Sequence, residues 1–342
     1  MQLVTMQQNF ISSQPFALEC GETLPGLQIA YHTYGTLNEA GDNVVWVCHA
    51  LTASSDVADW WPHTVEAGRF LDPARYFVVC ANFIGSHYGT TGPLCVNPGT
   101  GRPWYGDFPC FTIRDMVHAH QLLARHLGIS RLRMLVGSSI GGFQAVEWLA
   151  MEPHFARQAV LIATSACVSP WISALNESQR MAIEADATYG QPSAEAGQCG
   201  MGVARSIALL SYRGPKAYDL TQADDGEELF RRRVNSYQRH QGDKLMRRFN
   251  AYSYYRITQA LDSHNVGRGR GGIEVALGRI ATPCLCVAIS SDILFPPADV
   301  RRIAAGVQQG KYVEINSDFG HDGFLVETDK LNDIILAEME RC

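Results

Sequence analysis

The stretch Arg133-Met134-Leu135-Val136-Gly137-Ser138-Ser139-Ile140-Gly141-Gly142 decides the fold. RMLVG (133–137) is a short apolar run of strand character, and GFQAVEWLAMEP (142–153) reads as a helix ended by Pro153. A buried strand that turns at once into a helix leaves Ser139 at a sharp, strained bend. Small residues at 137, 141 and 142 let strand, turn and helix approach closely. The helix N-terminus behind Ser139 brings unpaired N–H groups and the positive end of the helix dipole. A Gly-x-Ser-x-Gly string is common by itself; its place between strand and helix gives it meaning.

Outward from this turn, apolar β-rich runs alternate with helical patterns. LQIAYHTYG (27–35), VVWVCHA (44–50), YFVVCANF (76–83) and AVLIATSA (159–166) read as strands. TIRDMVHAHQLLARHLG (112–128) repeats its apolar residues at helical spacing. This alternation predicts a mostly parallel sheet covered on both faces. From about Ser169 to Arg270 the sequence is helical and polar-rich, and the sheet pattern resumes with CLCVAIS (284–290) and KYVEIN (311–316) before a closing helix from about Thr328. The expected architecture is α/β: an α/β-hydrolase fold with a helical cap inserted over the site. Its expected parts are a first core segment, 1–168, the cap, 169–272, and a second core segment, 273–342.

A serine hydroxyl attacks only when a base takes its proton and a third group orients that base. In this fold the order along the chain is serine, acid, histidine, each after a strand. Asp292 follows CLCVAIS and His321 follows KYVEIN, so Ser139, Asp292 and His321 are the expected catalytic residues. His49, His118, His120 and His126 precede the serine and are poorly placed as the base; His240 and His264 lie in the insertion. Asp299 reads as a first-turn helix acid, and Asp318 and Asp322 flank the histidine rather than ending a strand. The N–H groups of Ile140 and of Leu51, in the loop HALTAS (49–54), are the expected oxyanion donors. His49 itself reads as a structural loop residue.

The 342 residues are 46% hydrophobic and 18% charged, as in a well-packed globular protein, and the net charge of -6 gives no reason to expect a nucleic-acid partner. No apolar run is long enough to span a membrane and the first residues lack a signal-peptide pattern, so a cytoplasmic protein is expected. Ten scattered cysteines without metal-site spacing read as free thiols, and no metal is expected. VGRGRGG (266–272) reads as a flexible link. FRRRVNSYQRHQGDKLMRR (230–248) reads as a solvated helix face rather than a patch steering phosphates.

With these residues in place the chain resembles the homoserine O-acetyltransferases, nearly end to end. HALTAS, NFIGSHYGTTGPLCVNPGTGRPW, DFPCFTIRDMVHAHQLLARHLGI, VGSSIGGFQAVEWLAMEP, ALLSYRG, AYSYYRITQALD, and SDILFPP with GHDGFL carry the resemblance. Ser138 stands where glycine is common in that family, and Ile140 where methionine is. The resemblance implies acetyl transfer from acetyl-CoA to L-homoserine through a Ser139 acyl-enzyme, with no cofactor, in a homodimer. It also implies that Arg213 and Asp322 bind the amino-acid substrate. Related enzymes use succinyl-CoA or acylate serine, and a carboxylesterase would need the same three catalytic side chains, so donor and acceptor stay open at this point.

Overall fold

The computed structural model describes residues 6–339 apart from 225, 228 and 231. Eight strands form the central sheet: β1 (Gln8–Ser12), β2 (Leu27–Tyr34), β3 (Val44–Cys48), β4 (Phe77–Ala81), β5 (Met134–Ser138), β6 (Ala159–Ile162), β7 (Cys284–Ile289) and β8 (Gly310–Ile315). Their spatial order is β1-β2-β4-β3-β5-β6-β7-β8. All pairings from β4 to β8 are parallel, whereas β2 runs antiparallel to both β1 and β4. The central strands are apolar on both faces, and every residue of β3, β5, β6 and β7 is buried. β1 escapes the sequence pattern because it is an exposed edge strand, QNFIS, with no buried residue.

Helices α1 (Ile113–His126) and α2 (Ile140–Met151) cover one face of the sheet. α1 starts on a capping box in which Thr112 and Asp115 bind each other's backbone N–H. The insertion holds α3 (Pro170–Glu184), α4 (Gln198–Gln222), α5 (Arg233–Met246) and α6 (Ala251–Asp262), with α4 kinked at Gly214-Pro215. α7 (Pro297–Gly306) joins the α1/α2 face, and α8 (Thr328–Met339) covers the other. Ser139, His49, Asp292 and His321 all follow the carboxyl ends of parallel strands, where open α/β sheets place their sites.

The VGRGRGG segment is pinned, not loose. The Glu147 side chain, only 2% exposed, accepts from Arg270 at 2.5 Å and from Arg114 Nε at 2.6 Å. Arg268 bridges to Glu19 at 2.8 Å. One buried acid on α2 thus ties α1, the end of the cap and, through Arg114 and Arg268, the N-terminal segment. Glu147→Gln leaves two guanidinium groups short of their counter-charge and is expected to lower unfolding free energy by about 3 kcal/mol. Urea denaturation checks this; a loss below about 1 kcal/mol would make the network incidental.

The described cysteines are free, and Cys48, Cys80, Cys284 and Cys286 are buried; Cys342 lies outside the described residues. Among the described residues no helix is long and apolar enough to cross a membrane, and no group of three or more potential ligands is placed to hold a metal ion.

Candidate active site

Ser139 has φ 57° and ψ −127°, a conformation that L-residues rarely adopt. The surroundings hold it there. Its N–H donates to Ile162 O at 3.0 Å, and its own carbonyl accepts from Thr164 Oγ1 at 2.9 Å. The glycines around it are steric necessities. A Cβ on Gly141 would sit 2.0 Å from Cys48 O, and one on Gly137 would sit 2.3 Å from Gly141 O. These contacts set the end of β3 against the start of α2, so the 49–54 loop stands beside the helix N-terminus.

Ser139 Oγ lies 2.9 Å from His321 Nε2, and His321 Nδ1 lies 2.8 Å from Asp292 Oδ2. The other carboxylate oxygen, Oδ1, accepts the N–H groups of Leu294 at 2.8 Å and Phe295 at 2.9 Å. Both oxygens of Asp292 are therefore engaged, and its side chain is fully buried. His321 sits on a turn entered through Gly320, whose φ is 61° and whose N–H donates to Ser291 Oγ at 2.9 Å. A hydroxyl, an imidazole and a carboxylate in hydrogen-bond series can move a proton off the hydroxyl.

Ser139 and His321 open into a cavity of about 660 Å³ walled by the 50–54 loop, the cap and the 321–325 turn. Leu51 lines this cavity, whereas Ile140 is buried. Among the described residues neither backbone N–H of this pair donates to a protein acceptor. Asp322 lines the cavity beside His321; burial pushes its carboxyl above the ordinary range, against the pull of His321, Arg205 and Arg213.

Arg205 lines the cavity; Arg213 pairs with the lining Asp322, its Nε 3.4 Å from Oδ2, and holds its guanidinium over the Tyr237 ring. Helix phase explains this. Arg205 and Tyr212 are seven residues apart on α4 and share a face, which turns toward the site, while Arg213 lies about 100° further round. Arg205 Cζ lies 5.3 Å from the Tyr212 ring centre and has no carboxylate partner among the described residues. The spacing Arg205 to Tyr212 was the available signal in the sequence.

Most of the described residues of the basic run 230–248 are exposed, yet Lys244 and Arg248 line the cavity. Arg248 donates to Thr52 O at 2.5 Å and to Tyr88 Oη at 2.7 Å, and so clasps the 49–54 loop from the cap side.

A family model for the alpha/beta hydrolase fold matches residues 43–328. The homoserine O-acetyltransferase of Cyclobacterium marinum is 43% identical over 329 residues, covering 96% of this chain and 94% of its own. The chain belongs to the homoserine O-acetyltransferase family. A solved homoserine O-acetyltransferase from Bacillus anthracis superposes with a TM-score of 0.91 at 24% identity, over 97% of this chain and 98% of that one. Esterase E22 superposes nearly as well, with a TM-score of 0.90 at 22% identity, over 98% and 100%. The homoserine O-acetyltransferase family thus shares its whole fold with esterases, and the sequence relatives, not the backbone, place this chain within it.

Proposed function

We propose that the protein transfers an acetyl group from acetyl-CoA to the hydroxyl of L-homoserine through a Ser139 acyl-enzyme, an early step in making methionine. The hydrogen-bonded series Ser139–His321–Asp292 opening into a cavity that carries both Arg205 and Asp322 is the observation that carries the reading.

His321 Nε2 takes the Ser139 proton as Oγ attacks the thioester carbon. The oxyanion rests on the N–H groups of Leu51 and Ile140; the C–S bond breaks and His321 returns the proton to the CoA sulfur. Homoserine then enters, His321 removes its hydroxyl proton, and the new alkoxide takes the acetyl group from Ser139, which regains its proton from His321. Asp292 orients the imidazole and stabilises its charged form. No cofactor takes part; CoA is a co-substrate.

A zwitterionic amino acid needs a cation for its carboxylate and an acceptor for its ammonium group. Arg205 supplies the first and Asp322 the second, with Arg213 bracing Asp322. Arg205→Gln is expected to raise KM for homoserine about ten- to a hundredfold, the worth of a hydrogen bond to a charged group, while thiol release without homoserine stays close to that of the wild type. Steady-state kinetics check it; a larger KM effect from Arg213→Gln than from Arg205→Gln would reverse the assignment.

Release of free thiol from acetyl-CoA, with and without L-homoserine, tests the function as a whole. Homoserine should accelerate it strongly. Thiol release indifferent to homoserine would point to an esterase-like hydrolase. Faster turnover with succinyl-CoA, or with L-serine as acceptor, would reassign donor or acceptor.

A further inference from the structure

We propose that His49 is a positioning residue for acyl transfer: its buried ring pins the Ala50–Leu51 peptide so that the Leu51 N–H faces the reacting oxygen. The inference rests on the roles given above to Ser139 and Leu51.

His49 is fully buried beneath the 50–54 loop and stacks on Phe83, with ring centres 4.4 Å apart. Its Nδ1 lies 2.8 Å from Ala50 O. A carbonyl only accepts, so Nδ1 carries the proton. Burial drives the imidazole pKa down to about 4, so the ring is neutral near pH 7 and Nε2 holds a lone pair.

The Ala50 carbonyl and the Leu51 N–H belong to one planar trans peptide and point in opposite directions. Drawing the carbonyl down onto the buried ring therefore turns the N–H away from it, toward the cavity that Ala50 and Leu51 line. Ala53 N–H also donates to Ala50 O, at 3.1 Å, which tightens the turn. His49 adds the donor from the core side, while Arg248 holds Thr52 from the cap side.

A second observation lies under the ring. Trp46 Nε1, His49 Nε2 and both amide atoms of Gln144 are buried and meet no hydrogen-bond partner among the described residues, whereas the neighbouring His120 ring is engaged by the Asn82 backbone. The Trp46 ring lies 5.7 Å from His120 and 5.3 Å from Trp148. Gln144 sits one turn before Trp148, on the face of α2 whose Gly141 abuts the Cys48 and His49 carbonyls. An unsatisfied buried polar group costs roughly 1–3 kcal/mol, so a purely structural layer here would be better made of apolar side chains.

The test uses the burst of nitrophenol from p-nitrophenyl acetate, which reports acylation of Ser139 without any amino acid. His49→Phe keeps the ring, the stacking and nearly the volume but removes both nitrogens; His49→Asn keeps a donor near the Nδ1 position. His49→Phe should keep a Tm like that of the wild type and slow the burst about ten- to a hundredfold, in the range for a misplaced oxyanion donor. KM for the ester and the midpoint of the pH–rate profile should stay where they are, and His49→Asn should recover most of the rate. A burst at the original rate in folded His49→Phe overturns the proposal. So does a shifted pH midpoint, which would make the ring a base, or a loss that His49→Asn fails to recover. His49→Leu, which also lacks a donor, serves if His49→Phe does not fold: a burst slowed about ten- to a hundredfold supports the proposal, and an unchanged one overturns it. Because ester acylation needs no acceptor, an enzyme indifferent to homoserine still reports on His49, and the two assignments fail separately.

Discussion

Asparagine at position 292 is expected to lower kcat for acyl transfer by about 10⁴-fold with little change in folding stability. The reason lies in how the two carboxylate oxygens are used. Oδ1 accepts from the Leu294 and Phe295 N–H groups, and Oδ2 accepts from His321 Nδ1. In Asp292→Asn the two backbone donors hold the amide oxygen on their side, which directs the NH₂ group at His321. The imidazole then keeps its lone pair on Nδ1 and its proton on Nε2, the atom 2.9 Å from Ser139 Oγ. A ring that already carries a proton there cannot take the serine's. Thiol release at saturating substrates measures the loss, and nitrogen chemical shifts of His321 show which atom is protonated. A loss under tenfold, or an unchanged tautomer, would remove Asp292 from its orienting role.

What the sequence made legible follows from how local each demand is. The bend at Ser139 was readable because its sterics need small residues at fixed offsets: Gly137 and Gly141 leave no room for a Cβ. Asp292 and His321 were readable because each follows a strand, CLCVAI and GKYVEI, that can be seen in the sequence. Which of Arg205 and Arg213 lines the cavity was not, because that depends on the phase at which α4 meets the core. That phase is set by packing against the 320–322 turn, where Gly320 meets the Tyr212 and Arg213 carbonyls. The VGRGRGG segment looked loose because glycine is permissive; the buried acid that pins it, Glu147, lies more than a hundred residues away on another helix. Long-range ion pairs of that kind leave no periodic trace.

Alanine at position 139 is expected to abolish transfer, by about 10⁴-fold or more, with the fold intact. Ser139→Ala removes only Oγ. The backbone bonds that hold the bend, from Ser139 N–H to Ile162 and from Thr164 to Ser139 O, do not involve the side chain. Alanine carries the same Cβ as serine, so the strain of φ 57° and ψ −127° stays, at about 1–3 kcal/mol. Ser139→Gly loses the same nucleophile but sheds that strain, since glycine occupies positive φ freely. The two variants should therefore be equally inactive in thiol release yet differ in thermal unfolding, with Ser139→Gly the more stable. Mass spectrometry after incubation with acetyl-CoA gives the decisive reading: an acetyl group retained in Ser139→Ala, and discharged by homoserine, would move the nucleophile elsewhere. Equal inactivity with unequal stability would instead show that the strained backbone is kept for the sake of the hydroxyl it presents to His321.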